Sequence, residues 1–193
     1  LLLTTAPGEL EAHHKSFADA CKILNHLGID WTMRSDAFEA TNFGYLSGNH
    51  PLQQKLTTTL IDKAVEIGAK TIVIPECGHA YGALRWEWAT WYDRELPVEV
   101  LHMTEFLDRE VASGRLKVNK LNETTTFHDP CQMVRRGGLV EAPRRLLEAL
   151  GLDLIELRDS GEFGFCCGGG GGVLANERAA PLRAKVFDLK RRQ

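Results

Sequence analysis

The chain has 193 residues, of which 44% are hydrophobic and 25% are charged, the values of an ordinary folded protein. Its formal net charge of −3 leaves no basic excess to bind a phosphate backbone, which argues against a nucleic-acid partner. No apolar run approaches the roughly 20 residues that span a bilayer. The five cysteines are an odd number in a chain large enough to fold without disulfides, so they favour the reducing cytoplasm and metal or redox chemistry.

Short apolar segments alternate along the chain with longer helical patterns, which predicts an α/β fold with mainly parallel sheets. The predicted strands are residues 1–5, 30–33, 71–74, 98–101, 124–128 and 154–157. The predicted helices are residues 11–27, 52–67, 103–113, 138–150 and 176–190. The opening Leu1–Thr5 run has no initiator Met, basic region or cleavage site, so we expect a fragment that begins within a strand.

An internal repeat divides the chain. Leu27-Gly28-Ile29-Asp30 recurs as Leu150-Gly151-Leu152-Asp153, each time after an amphipathic helix and before a short strand. This repetition predicts two tandem related lobes, residues 1–120 and residues 121–193. The position equivalent to Cys77 in the second lobe falls beyond Gln193, so the second lobe is expected to be truncated before its last motif.

Three cysteines of the second lobe carry the strongest chemical signal. Cys166 and Cys167 are adjacent and lead into five glycines, Gly168–Gly172, whose backbone can approach a bulky group closely. Zinc sites prefer cysteines two to four residues apart, whereas neighbouring thiolates can bind different irons of a cluster. Cys131 ends a predicted strand at the start of a helix, where the helix dipole favours a thiolate. One strand-helix-strand unit would return the chain from Cys131 to the same sheet edge.

Pro130-Cys131 followed by Cys166-Cys167-Gly168 resembles the cysteine-rich CCG domain of heterodisulfide reductase catalytic subunits and related iron–sulfur oxidoreductases. In that family a Cys, a Cys-Cys-Gly and a Cys-x-x-Cys recur in two copies and hold noncubane [4Fe–4S] clusters. The resemblance implies that Cys131, Cys166 and Cys167 are metal ligands and that Gly168 lies against the cluster. It also places the Cys-x-x-Cys of this copy beyond Gln193, so truncation is expected to leave the chain short of ligands and able to lack the cluster.

The first copy departs from the family's pattern. Glu9 replaces the leading cysteine, Asn42-Phe43-Gly44 replaces Cys-Cys-Gly, and Cys77 alone is kept from Cys-x-x-Cys. The resemblance therefore implies one cluster per intact protein, with Cys77 as an extra thiol near it. His79 and His128 flank the motif cysteines and are candidate proton donors.

These features predict a heterodisulfide-reductase-like oxidoreductase subunit that reduces or forms a disulfide or trisulfide of a thiol carrier. No Cys-x2-Cys-x2-Cys-x3-Cys run of a ferredoxin occurs, so an electron-donating iron–sulfur domain or subunit is the expected partner. Within the family, His128–Cys131 and Pro75–Tyr81 are most similar to the K subunit of the sulfite-reductase-associated membrane complex. That similarity implies a small protein as the thiol carrier and a peripheral position at the inner face of the membrane.

Other interpretations stay open. The iron–sulfur subunit of a glycolate or lactate oxidase resembles the same domain and would pass electrons from a flavoprotein. A zinc-bound or metal-free interaction module would use the cysteines structurally and the Trp86–Tyr92 segment as its partner surface. The glycine run could form an anion-binding nest, although it lacks the Lys-Ser/Thr of a P-loop. Arg135-Arg136 is predicted to be solvated or to meet an acidic substrate, and Cys21 is predicted to be a core residue.

Overall fold

The computed structural model describes residues 1–39, 43–75 and 78–193. The chain divides into two compact units, Leu1–Lys117 and Val118–Gln193. Both units contain short parallel strands and helices, which confirms the predicted α/β class. The division falls close to the predicted boundary after residue 120, and the origin of the two units by duplication stays a prediction.

The first unit is built on a parallel three-stranded sheet in the order β1 (Leu2–Leu3), β2 (Thr71–Ile74) and β3 (Glu99–His102). Its helices are α1 (Pro7–Ala12), α2 (His14–His26), α3 (Phe43–Leu46), α4 (His50–Glu66), α5 (Gly78–Arg85), α6 (Trp88–Trp91) and α7 (Met103–Ala112). The strand predicted at residues 30–33 is reduced to one bridge between Thr32 and Leu2. The helix predicted at residues 11–27 is interrupted at His13, whose ψ of 29° is not helical.

The core of the first unit lies against the central strand β2. Ile72, Val73 and Ile74 are buried, as expected for a parallel strand covered on both faces. Val73 packs with Leu24 of α2 and Phe106 of α7, and Cys21 lies at the edge of this cluster, as predicted for a core residue. In the Trp86–Tyr92 segment, Trp91 and Tyr92 are buried whereas Trp86 is exposed, so the aromatic run does not form one continuous outer surface.

The second unit contains a small parallel sheet of β4 (Thr124–Thr125) and β5 (Asp153–Leu154), joined through α8 (Glu141–Ala149) and followed by α9 (Ala180–Arg191). Both strands are shorter than predicted, since each has only one neighbour to pair with. The helix predicted from residue 138 begins at Glu141, because Gly138 adopts a φ of +77° that a helix cannot contain. Within the described residues, no helix combines the length and the apolar character that crossing a membrane requires.

Short helical turns form the rest of the second unit. A π-helical turn, Gln132–Arg136, follows Cys131 directly. Three 3₁₀ turns lie at Gly161–Phe163, Val173–Ala175 and Glu177–Ala179. The first of these turns precedes the paired cysteines, and the last leads into α9 where a helix was predicted from residue 176. The Cys-containing segments are thus held by turns rather than by long regular elements.

Candidate functional site

The loop that begins at the paired cysteines directs backbone N–H groups at their sulfurs. Gly168 N–H donates to Cys166 Sγ over 3.3 Å, and Gly169 N–H donates to Cys167 Sγ over 3.4 Å. Both cysteines are exposed. Backbone N–H groups stabilise negative charge on sulfur, so this loop favours the thiolate forms that bind metals.

Gly168 is required by the geometry of this loop. Its φ is +80°, and a Cβ at this position would lie 3.1 Å from the Arg183 carbonyl oxygen. The Arg183 Nε–H donates to the Gly168 carbonyl oxygen over 3.2 Å and so fixes the loop to α9. A cavity of about 330 Å³ lies between the loop and α9. It is lined by Cys167, Gly168, Gly169, Ala180, Arg183, Ala184 and Phe187.

Cys131 lies in the same region of the second unit. It is half-buried between Pro130 and the π-helical turn. Burial raises the pKa of its thiol, and the charges of the Cys166 and Cys167 thiolates raise it further. Because charges act strongly only over short distances, this coupling shows that the fold brings the three predicted ligands together.

The prediction that a helix N-terminus favours the Cys131 thiolate is wrong for this geometry. The helical turn after Cys131 has only five residues, Gln132–Arg136, so its dipole is small. A hydrogen bond from Gln132 lowers the pKa of Cys131, but burial and the two neighbouring thiolates outweigh it. A bound cation would reverse this balance, since it would neutralise the mutual repulsion of the three sulfurs.

The three sulfurs do not form a preassembled site for a single ion. In the part of the chain that the structure describes, no group of three or more His, Cys, Asp or Glu side chains is arranged to hold a metal ion. A cluster of several irons is wider than one ion and takes its thiolates at separate iron atoms. Three converging but separated cysteines beside an exposed glycine loop therefore fit a cluster better than they fit zinc.

Sequence reasoning did not single out Asp129 as a site residue. Its carboxylate is buried and accepts hydrogen bonds from both terminal nitrogens of Arg144 and from Gly161 N–H. Burial by itself raises the pKa of Asp129, but the hydrogen bonds from Arg144 and Gly161 lower it below its ordinary value. The His128–Cys131 motif was a signal for Asp129, whereas Arg144 had none.

His128 was predicted to donate protons. It is half-buried, and its Nδ1 is enclosed without a hydrogen-bond partner among the described residues. Burial lowers the pKa of His128, and the positive charge of Lys190 lowers it further, although Asp129 partly opposes the shift. The neutral imidazole is therefore the dominant form near pH 7.

The two other predicted catalytic residues belong to the first unit. His79 lies in the first turn of α5 and is half-buried. Cys77 lies outside the described residues. A role for either residue beside the cysteines stays a prediction.

Comparisons with known proteins place the chain among iron–sulfur oxidoreductases. It is 39% identical over 164 residues to the EtfAB:quinone oxidoreductase of Syntrophomonas wolfei, with 84% of this chain and 22% of that protein covered. It is 35% identical over 159 residues to a subunit of the dihydromethanophenazine:CoB–CoM heterodisulfide reductase of Methanosarcina acetivorans, with 80% and 39% covered. A probable iron–sulfur-binding oxidoreductase of Bacillus subtilis is 34% identical over 170 residues, with 86% and 23% covered.

The chain thus spans 22% to 39% of the length of these relatives. The model of the family described as the cysteine-rich domain, CCG, matches residues 125–191. This range contains Cys131, Cys166 and Cys167, the residues on which the resemblance to heterodisulfide reductase subunits was based. The finer similarity to the sulfite-reductase-associated K subunit stays a prediction. The resemblance itself is confirmed, and the segment that carries the three cysteines belongs to the cysteine-rich CCG domain family.

Proposed function

We propose that this chain is part of an iron–sulfur oxidoreductase that reduces or forms a disulfide or trisulfide of a thiol carrier. Cys131, Cys166 and Cys167 would ligate a noncubane [4Fe–4S] cluster, with further ligands from elsewhere in the intact protein. The observation that carries the proposal is the pair of exposed cysteines whose sulfurs accept N–H groups from a glycine loop, with a third cysteine in electrostatic range.

When bound, the cluster would supply successive one-electron transfers to or from the sulfur–sulfur bond. The residues of the chain provide the setting for that chemistry. Gly168 and Gly169 N–H groups stabilise negative charge on the two adjacent sulfurs. The exposure of these sulfurs leaves room for a carrier to approach.

Cleavage of a disulfide also consumes protons, since each thiolate product becomes a thiol. We assign this transfer to His128, whose enclosed Nδ1 has no hydrogen-bond partner within the described ranges. Its lowered pKa makes it a good proton acceptor in the direction of disulfide formation and a strong acid once protonated. In the alternative assignment His79 or Cys77 performs this step.

The proposed partners follow from the relatives. Several of them are named as subunits of larger reductases, which supports an electron-donating iron–sulfur domain or subunit as partner. One relative is named a probable membrane-anchored ferredoxin, which supports a peripheral position at the cytoplasmic face of a membrane complex. The carrier would be a small thiol or a small protein that bears one.

A second candidate function is electron transfer without a sulfur substrate. The relative named EtfAB:quinone oxidoreductase favours it, because that name specifies a redox partner and a quinone but no thiol. The same cluster ligands would then relay electrons, as in the glycolate or lactate oxidase interpretation.

The test uses the intact protein that contains this chain, purified without oxygen. We expect about four irons per chain, and a paramagnetic signal that changes when a thiol is added. Cys166→Ser should remove the signal, whereas Cys21→Ser, in the core of the first unit, should leave it unchanged. An iron-bearing protein without a response to thiols would select the second candidate. An iron-free protein would overturn both.

A further inference from the structure

We propose that Asp129 and Arg135 are positioning residues that fix the distance between Cys131 and the paired cysteines. The inference rests on the proposed function, in which these cysteines ligate one cluster. Asp129 lies before Cys131 and Arg135 lies after it. Both are hydrogen-bonded to the same 3₁₀ turn, Gly161–Phe163, which leads into Cys166.

The first attachment is made by the Asp129 carboxylate. Its Oδ2 accepts the Gly161 N–H over 2.6 Å, although the two residues are 32 positions apart. The side chain is only 2% exposed, so water does not compete for this hydrogen bond. The segment before Cys131 is therefore held directly against the turn before Cys166.

Arg144 holds Asp129 in place. Its two terminal nitrogens donate to the two oxygens of Asp129 over 2.9 and 3.1 Å. The same guanidinium donates to both oxygens of Glu156 over 2.6 and 3.0 Å and to the Val140 carbonyl over 2.7 Å. A planar fork fixed at five acceptor contacts restricts the rotation of Asp129 as well as neutralising its charge.

The second attachment is made by Arg135. Its Nε–H donates to the Glu162 carbonyl oxygen over 2.7 Å. The side chain is exposed, so this hydrogen bond contributes little to the stability of the unit. Its location at the opposite end of the Cys131 turn prevents that turn from pivoting about Asp129.

These hydrogen bonds matter because the regular structure around them is slight. Strands β4 and β5 have two residues each, and neither contains a cysteine. From Glu162 to Cys166 the chain is four residues long, which allows at most about 14 Å of reach. Fixing the turn at Gly161–Phe163 against both sides of Cys131 therefore limits how far apart the three thiolates can lie.

The test compares single variants of the intact, iron-loaded protein. Arg135→Met removes the second attachment from an exposed site, and Arg135→Lys keeps a donor there. Asp129→Asn weakens the first attachment. Arg158→Met is the matched control, since Arg158 is an exposed arginine of the same unit that pairs only with the neighbouring Asp159 at the surface.

We expect Arg135→Met and Asp129→Asn to release iron to a chelator about 10- to 100-fold faster than wild type. Arg158→Met should match wild type, and Arg135→Lys should recover most of the loss. The unfolding temperature of Arg135→Met should stay within a few degrees of wild type, which separates positioning from general stability. Should Asp129→Asn fail to fold, Arg135→Met alone decides. Release from Arg135→Met at the rate of Arg158→Met would overturn the proposal.

A separate readout does not need iron. Hydrogen exchange of the Gly161 amide and of the 161–168 segment reports the attachment in the metal-free protein. If wild type binds no iron, the proposed function fails, and exchange then decides the attachment alone. Faster exchange in Asp129→Asn than in Arg158→Met supports it, and equal exchange overturns it.

Discussion

Replacing Gly168 by alanine tests how strictly the loop geometry determines the site. Gly168 has a φ of +80°, a conformation that costs a residue with a Cβ about 1–2 kcal/mol. The new Cβ would also lie 3.1 Å from the Arg183 carbonyl oxygen and 3.5 Å from Val186 Cβ. Backbone on α9 cannot yield as a flexible side chain does, so the crowding adds to the conformational strain.

We expect Gly168→Ala to destabilise the second unit by at least about 1–2 kcal/mol. For a unit of this size each kcal/mol lowers the unfolding temperature by about 4–8 °C. The variant should also lose iron, because the Gly168 and Gly169 N–H groups would turn away from the cysteine sulfurs. Thermal unfolding followed by circular dichroism, with iron analysis on the same samples, measures both effects.

Two neighbouring glycines separate the causes. Gly171 has a φ of +66°, but a Cβ there would meet no atom of the described residues within 4 Å, so Gly171→Ala should show conformational strain alone. At Gly169 the φ is not positive, and a Cβ would lie 3.6 Å from Cys167 Sγ, so Gly169→Ala should be mild. If Gly168→Ala is no less stable than Gly169→Ala and keeps its iron, the reasoning about this loop is refuted.

Three further predictions concern the surroundings of Cys131. Arg144→Ala leaves the buried Asp129 carboxylate without its cation and should lower the free energy of unfolding by about 3 kcal/mol in urea titrations; a change near zero would contradict the assigned pairing. The lowered pKa of Asp129 contributes stability above the ordinary aspartate pKa of 3.8, and this contribution is lost as pH falls through the lowered pKa. Acid unfolding curves should therefore be less steep in Asp129→Asn than in wild type, and identical curves would exclude this linkage. Since burial and two neighbouring thiolates raise the pKa of Cys131, iodoacetamide should modify it more slowly than a free cysteine at pH 8, and a double Cys166→Ala, Cys167→Ala variant should be modified faster; an unchanged rate in the double variant would argue that the sulfurs do not interact.

The motif at the site was readable because it is local. Cys166, Cys167 and the glycines are consecutive, so their covalent order alone places two thiols beside a flexible backbone. The alternation of apolar segments and helical patterns likewise predicted the α/β class. The lengths of β4 and β5 were overestimated, because pairing depends on neighbouring strands that the local sequence does not reveal.

The tertiary structure decided the contacts between distant residues. Asp129 meets Arg144 and Gly161, which lie 15 and 32 positions away, and no local pattern announces such pairs. The raised pKa of Cys131 has the same origin, since it depends on burial and on cysteines brought close by folding. The sequence by itself thus determined which atoms can bind iron and the class of fold that holds them. Folding alone determined the spacing, charge and hydrogen bonding of those atoms, because each arises from contacts between segments that are far apart in the chain.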